Sequence, residues 1–103
     1  MEFPLCEQTV TVYRLEDGQV QRTVVDNCFY RWEDVAEDSF SRRFLLVVPG
    51  AFSVKLGDRV LPGEGPETVD WVKFVPAAVE GLGQVGYVKR YPTHVQAGYR
   101  KNL

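Results

Sequence analysis

Histidine, cysteine and methionine are scarce in this sequence. Its 103 residues include one histidine, one methionine and two cysteines. Because histidine is the usual general base near neutral pH, His94 alone offers little for acid–base catalysis. Two thiols and one imidazole, without a Cys-x-x-Cys spacing, are too few for a structural zinc site. These shortages argue against most hydrolases and against zinc modules, and no metal or cofactor is predicted.

Long apolar runs are also missing. The longest is the stretch 44–48, whereas a membrane-spanning helix needs about 20 residues. The first residues, MEFPLCEQ, lack the basic region and apolar stretch of a secretory signal. We therefore expect one soluble intracellular domain, residues 1–103, with no membrane partner. Cys6 and Cys28 are expected to be reduced on grounds of compartment, although their pairing stays open.

Motifs for nucleophilic or nucleotide chemistry are not found either. Ser39, Ser41 and Ser53 lie outside any Gly-x-Ser-x-Gly elbow, and no Gly-x-x-x-x-Gly-Lys loop occurs. The GLGQVG stretch at 81–86 precedes a strand-like segment rather than a helix, so it does not fit a dinucleotide fingerprint. The sequence predicts a non-enzymatic protein without a small-molecule substrate.

Short segments of strand character fill most of the chain, separated by glycine, proline, aspartate and asparagine. Residues 9–15 and 20–25 alternate apolar and polar side chains around an Asp-Gly pair, which predicts a hairpin. Asp26-Asn27 is interpreted as a further turn. The remaining predicted strands are 28–32, 42–49, 59–61, 68–75, 84–91 and 94–99. This series is typical of an all-β fold, a small antiparallel β-barrel or sandwich of six to eight strands.

The segment WEDVAEDSF, residues 32–40, fits two structures. Its apolar residues have helical spacing, which predicts a short helical turn near Val35. The segment can also be interpreted as a solvated acidic loop. Its four carboxylates would share one face of the helical turn, and we expect solvent rather than a cation to accommodate them.

Acidic residues concentrate in the first part of the chain. Residues 1–41 contain nine acidic and three basic residues, and residues 42–103 contain nine basic and five acidic ones. One interpretation is that opposite faces of neighbouring subunits dock through these charges, with Glu33 and Asp34 at the interface. The other is that folding interleaves the two parts and mixes the charges.

The C-terminal part combines basic and aromatic residues. From residue 81 onward four basic residues occur without an acidic one, interleaved with three tyrosines. Single-strand nucleic-acid binders use such residues to stack bases and contact phosphates, although a pI of about 5.3 is low for a dedicated binder. The alternative function is therefore an SH3-like or OB-like module that binds nucleic acid or a protein ligand. Its candidate nucleic-acid contacts are Lys89, Arg90, Tyr91, Arg100 and Lys101.

The order of the segments is similar to that of a known family. TVTVYR is followed by CFYRW, FLLVVPG, LGDRVLPGE, WVKFV and a final HVQAGY. This order resembles the small minor-capsid or head-closure proteins, connector or stopper-like, of tailed bacteriophages and of prophages of Gram-positive bacteria. The resemblance covers about residues 9–99, and PAAVEGLGQVG departs from the polar turn usual in the family. The residues that carry it are Pro49, Gly57, Asp58, Gly63, His94 and Gly98.

The resemblance implies a structural role at the head–tail junction of a virion. Such proteins are small β-barrels that form rings beneath the portal, close the head after DNA packaging and receive the tail. The implied partners are further copies of the chain, a portal or adaptor platform, tail proteins and, through an inserted loop, packaged DNA. The implied location is the host bacterial cytoplasm during assembly and afterwards the virion.

The resemblance also singles out residues for turns and for assembly. Asp58 is expected to fix a turn, Val60 to fill the core, and Arg59 to face a neighbouring subunit. The candidate turn and assembly residues are Gly57, Asp58, Arg59, Gly63, Glu33 and Asp34.

Overall fold

The alternating segments form strands throughout the part of the chain that the structure describes. In the computed structural model this part comprises the backbone of residues 6–35, 38–90 and 94–102, with side chains at 6–33 and 43–89. No helix long and apolar enough to cross a membrane occurs in these ranges. Every regular element within them is a strand, which confirms the predicted all-β class and strand number. The seven strands are β1 (Gln8–Glu16), β2 (Gln19–Val35), β3 (Asp38–Pro49), β4 (Arg59–Pro62), β5 (Gly83–Gln84), β6 (Tyr87–Arg90) and β7 (His94–Asn102).

The first hairpin follows from local sequence. β1 and β2 pair antiparallel, and the connecting residues Asp17 and Gly18 have φ angles of 52° and 76°. A two-residue turn with both φ angles positive matches the right-handed twist of the strands, and aspartate and glycine both tolerate it. The hairpin prediction is confirmed.

Residues 26–27 do not end a strand but form a bulge within β2. The register of β1 against β2 shifts between Gln8 and Val10, so that β2 has one residue more than β1 there. Asn27 takes a φ of 60°, a conformation that asparagine tolerates better than most residues. The first part of β2 pairs with β1 and the second part with β3, because a bulge bends the strand that contains it. The predicted turn is therefore wrong.

The seven strands form one antiparallel sheet in the order β5-β4-β1-β2-β3-β7-β6. β5 and β6 stand at opposite ends of this order, yet only Val85 and Gly86 separate them along the chain. The two ends therefore meet through consecutive residues, and the sheet curls into a small barrel. A single strand is predicted at residues 84–91, but the described residues 84–90 contribute to two strands: β5 pairs with β4 and β6 pairs with β7.

The main core fills the inside of the curled sheet. Val60 of β4 is fully buried in it, as expected. The rings of Tyr30 and Phe44 meet edge to face there, with centroids 5.4 Å apart. A Cβ on Gly83 would lie 2.6 Å from the Tyr30 hydroxyl oxygen and 2.7 Å from the Phe44 ring, closer than such atoms approach in proteins. Only glycine therefore fits where β5 passes these rings.

A second, smaller core lies under the segment that connects β4 to β5. Tyr13, Phe74 and Leu82 are buried in it, and Val69 and Trp71 are half-buried. The rings of Tyr13 and Phe74 meet edge to face with centroids 4.7 Å apart. The connecting segment consists of turns and irregular backbone, so the prediction of a strand at 68–75 is wrong. Its apolar residues cover the face of β1 that points away from the main core.

The prediction of a helical turn near Val35 is also wrong. The described backbone is strand up to Val35 and strand again from Asp38, while residues 36–37 lie outside the described ranges. The Trp32 ring packs against the Phe44 ring at a centroid distance of 5.1 Å. Trp32 lies opposite Phe44 in the β2–β3 ladder. Its apolar contact therefore comes from the pairing of two strands and not from a helical turn.

Cys6 and Cys28 are both present as thiols rather than as a disulfide. Cys28 is fully buried in the main core, and Cys6 is half-buried. Burial raises the pKa of the Cys28 thiol from 9.0 to about 12, with smaller contributions from Cys6 and Asp26. Cys28 is therefore an apolar packing residue rather than a reactive thiol.

We expect Asn27→Val to lower the free energy of unfolding by about 1–2 kcal/mol, because a β-branched side chain is strained at positive φ. The Asn27 side chain is exposed, so its replacement removes no core packing. Asn27→Gly accepts the same φ and is the matched control, which should retain nearly the wild-type stability. Chemical denaturation measures both variants, and equal stability of the two would contradict the bulge.

The buried thiol should make stability depend on pH above about 9. The unfolded thiol ionises near its ordinary pKa of 9.0, whereas the folded thiol keeps its proton up to about pH 12. Between these values the unfolded state loses protons first, so the free energy of unfolding should fall with rising pH. This group contributes at most about 1.4 kcal/mol per pH unit.

Cys28→Ala should remove this part of the decline, as measured by denaturation at a series of pH values. Cys6→Ala should retain it, because burial rather than Cys6 is the main cause of the raised pKa. Parallel pH profiles for the wild type and Cys28→Ala would show that the thiol is not protected in the folded protein.

Candidate binding cleft

A tight turn before β4 is built around Asp58. Gly57 has a φ of 88°, which glycine supplies without strain. The backbone N–H of Lys55 donates to Asp58 Oδ2 at 2.9 Å, and the N–H of Asp58 donates to the Lys55 carbonyl at 3.1 Å. Gly57 N–H donates to the Val85 carbonyl and Val85 N–H to the Asp58 carbonyl, at 2.9 and 2.8 Å. The expected turn-fixing role of Asp58 is confirmed.

The Asp58 carboxylate also accepts a two-pronged contact from Arg14 of β1. Arg14 Nε lies 2.9 Å from Oδ1 and Nη2 lies 2.8 Å from Oδ2. Asp58 is 1% exposed, and the hydrogen bond to it raises the pKa of Arg14 against the opposing effect of burial. Arg14 Nη2 further donates to the Ser53 carbonyl at 2.6 Å. The carboxylate thus has three donors, which offsets the cost of burying its charge.

Arg59, the next residue, is buried with 9% exposure. Its Nη1 donates to the carbonyls of Trp71 and Phe74 at 2.6 and 2.7 Å, and its guanidinium carbon lies 3.8 Å from the Trp71 ring centroid. Burial lowers the pKa of Arg59 from its ordinary value. The expectation that Arg59 faces a neighbouring subunit is wrong, because its side chain holds the segment between β4 and β5 within its own chain.

Side chains of β1 hold the beginning of that segment. Gly63 has a φ of 70°, as its predicted turn requires. The Thr11 hydroxyl donates to the Gly63 carbonyl at 2.7 Å and accepts from Gly65 N–H at 2.8 Å. The Tyr13 hydroxyl donates to the Pro66 carbonyl at 2.7 Å. These contacts fix the segment beside β1, where it forms one wall of a cleft.

The cleft has a volume of about 290 Å³ and opens beside the Asp58 turn. Its charged groups are two guanidiniums and one carboxylate, since Arg14, Asp58 and Arg59 all line it. Trp71 and Gln84 complete its walls, and Leu56, which is 68% exposed, lies at its edge. Because Asp58 is bonded to Arg14, the positive charge of Arg59 remains in excess.

No family model, curated protein or solved structure matches this chain. Within the described ranges, no group of three or more histidine, cysteine, aspartate or glutamate residues could hold a metal ion.

The candidate assembly residues Glu33 and Asp34 lie in the second part of β2. Glu33 Oε1 accepts from Arg43 Nε at 2.6 Å, and both side chains are substantially exposed. Asp34 stands opposite Arg42 in the register, although its side chain lies outside the described part. Pairing of β2 with β3 therefore sets acidic residues of the first part of the chain beside basic ones of the second. At these positions the charges are interleaved.

The candidate nucleic-acid contacts fall into two groups on the β6–β7 ladder. Lys89 is exposed on β6 opposite Gln96, and Arg90 follows it. Arg100 lies four residues beyond Gln96 on β7, about 13 Å along the strand at roughly 3.3 Å per residue. Lys101 follows Arg100, and the side chains of Arg90, Arg100 and Lys101 are not described. Tyr91 lies outside the described residues.

Sequence reasoning identified Gly57, Asp58 and Gly63 but missed Arg14 and Trp71. Trp71 belongs to the predicted strand 68–75, which does not form. Arg14 becomes a partner of Asp58 only through the pairing of β1 with β4, which brings residues far apart in sequence together. A buried aspartate after a Gly-containing turn implies a cationic partner, yet nothing local indicates which arginine supplies it.

We expect Asp58→Ala to lower the free energy of unfolding by about 3 kcal/mol, because it leaves Arg14 without its carboxylate and Lys55 N–H without its acceptor. This value is at the lower end for a buried pair, since the Arg14 side chain is 24% exposed. Glu64→Ala removes an exposed carboxylate nearby and should change stability by less than about 0.5 kcal/mol. Chemical denaturation that shows equal losses for both would contradict the role of Asp58.

Proposed function

We propose that this protein is a non-enzymatic structural component of a phage or prophage virion, a subunit of a head-closure or connector ring at the head–tail junction. The observation that carries the proposal is where the residues of the resemblance lie. Pro49 and His94 are paired neighbours on β3 and β7, and Gly98 lies opposite Leu45 on the same ladder. The resemblance implies a small β-barrel, and this chain is an all-β protein whose sheet curls into one.

The remaining residues of the resemblance surround β4. Gly57 and Asp58 form the turn before this strand, and Gly63 follows its last residue. All three have the backbone or hydrogen-bonding roles that such a turn needs. Their folding roles would be the same in any barrel with this turn, so they support the architecture of a ring subunit rather than a specific contact.

The outer part of the β2–β3 pair, residues 33–35 and 38–43, is our candidate for contact with a neighbouring subunit, and we call it the β2–β3 ribbon. β3 begins six residues before the buried Phe44, a distance of about 20 Å at roughly 3.4 Å per residue. The Glu33–Arg43 pair on this ribbon is exposed, and exposed ion pairs contribute only about 0–1 kcal/mol. Both side chains could therefore exchange partners in a ring at little cost. A ring closed by rotation uses two different faces of each subunit.

The proposed partners are further copies of the chain, a portal or adaptor platform, tail proteins and packaged DNA. The proposed location is the host bacterial cytoplasm during assembly and then the virion. A second candidate, a binding module for nucleic acid, is favoured by one observation: Tyr87 is 40% exposed on β6, two residues from the exposed Lys89. Side chains two residues apart share one face of a strand.

Removing the gene from the phage or prophage that encodes this chain should leave packaged heads that do not join tails. Electron microscopy of lysates would measure the fraction of tailed particles, and the wild-type gene supplied in trans should restore it. Glu33→Arg should restore it poorly while leaving the purified protein folded. Glu80→Arg, a charge reversal at an exposed position outside the ribbon, should restore it fully.

Normal numbers of tailed particles without the gene would overturn the proposal. So would a genomic position away from portal, capsid and tail genes. Either result would favour the binding module, whose mark is an affinity for nucleic acid that falls steeply with salt. Full restoration by Glu33→Arg would remove the ribbon from the interface and leave the proposed location in the virion standing.

A further inference from the structure

Arg59 is a buried cation without an anionic partner among the described residues. The nearest carboxylate in sequence, Asp58, is bonded to Arg14 and to Lys55 N–H. Arg59 instead contacts two neutral carbonyls and the face of Trp71. Buried charges in proteins are normally paired or hydrogen-bonded throughout, since an unpaired one is costly. The fold therefore supplies hydrogen-bond acceptors for Nη1 of this guanidinium but none for Nε.

The opposite edge of the guanidinium has a defined geometry. Within the described part of the chain, both hydrogen bonds of the guanidinium come from Nη1, and they use the two hydrogens of that nitrogen. Nε is buried and has no hydrogen-bond partner. The Nε–H and the adjacent Nη2–H of an arginine point the same way from one edge of a plane. Their spacing matches the two oxygens of a carboxylate, which such an edge binds with two parallel hydrogen bonds.

The surroundings of Arg59 fit a small anionic group. Arg59 lines the cleft of about 290 Å³ together with Arg14, Asp58 and Trp71, and the three charged residues leave one positive charge in excess. This volume accommodates a side chain or a small acid rather than a folded element. Leu15 and Leu56, 45% and 68% exposed, line the same cleft and offer apolar contact to the carbon atoms of such a group.

We propose that this cleft binds a carboxylate at Nη2 of Arg59, with the Trp71 ring stacked against the guanidinium, and that a small shift of the side chain then opens the buried Nε–H to the second oxygen. The same chemistry is offered by an aspartate or glutamate side chain or chain terminus of a protein partner, a second copy of this chain included, and by a free small acid. The proposal does not rest on the virion function. In a ring, the cleft would receive an acidic side chain of the adjacent subunit.

The test follows the Nε–Hε NMR signal of Arg59 in the purified full chain. Sodium acetate and a capped glutamate-containing peptide are titrated in turn, each against sodium chloride at equal ionic strength. A dilution series without added ligand tests a second copy as the source. We expect a saturable shift of this signal with at least one carboxylate source and no saturable shift with chloride.

Substitution at the edge of the cleft avoids disturbing Arg59, whose replacement would also release the Trp71 and Phe74 carbonyls. Leu56→Glu places a competing carboxylate at the opening and should weaken binding by about tenfold or more. Val72→Glu is the matched control, because Val72 is 83% exposed, does not line the cleft and gives the same change in charge. It should leave the affinity within about twofold of the wild type.

The outcomes separate the sources. Saturation by acetate supports a free acid, saturation only by the peptide supports a protein partner, and a shift that depends on protein concentration supports a second copy. No saturable shift in any of these arms would overturn the proposal. Tighter binding of inorganic phosphate than of any carboxylate, or equal affinity in Leu56→Glu and wild type, would overturn it as well.

Discussion

The carboxylate of Asp58 lies where β1, the turn before β4 and the junction of β5 with β6 come together. Arg14 and Lys55 N–H supply its donors, and its own carbonyl accepts from Val85 N–H. A carboxylate that is 1% exposed is tolerated only with such partners. The carboxylate therefore joins β1 to the turn before β4, and the backbone of that turn also holds the junction of β5 with β6, where the sheet curls back on itself.

Asp58 and Arg59 are adjacent and opposite in charge, yet they serve different parts of the molecule. In the β1–β4 register Tyr13 stands opposite Arg59, and one further step sets Arg14 opposite Asp58. Successive side chains of a strand point to opposite faces. Arg59 therefore reaches the segment that covers Tyr13, where its partners among the described residues are two carbonyls and an indole. This division leaves a cleft with an excess positive charge and an unused donor edge.

β2 allows the sheet to curl without a break in the chain. Its bulge at Asn27 lets one strand pair first with β1 and then with β3. Gly83 lets β5 pass against the rings of Tyr30 and Phe44 on the other side of the core. The positive φ of Asn27 and the missing side chain of Gly83 both allow the strands to close around a small core. The β2–β3 ribbon extends from this core and carries the exposed Glu33–Arg43 pair.

The amino-acid sequence by itself determined the local elements: the β1–β2 hairpin, β3, β4, β7 and the Gly57-Asp58 turn. Their alternation and turn residues depend on neighbours a few positions away, so they can be recognised without a fold. Tertiary structure decided that Asn27 forms a bulge and not a turn. It also decided that residues 68–75 form a covering loop, although their apolar residues follow a pattern that is typical of a strand, because long-range packing overrides local preference. It also decided the cleft. Arg14 and Asp58 meet there because β1 pairs with β4, and Trp71 joins them because Arg59 holds the loop. Contacts between segments so far apart in the chain leave no pattern in the local sequence.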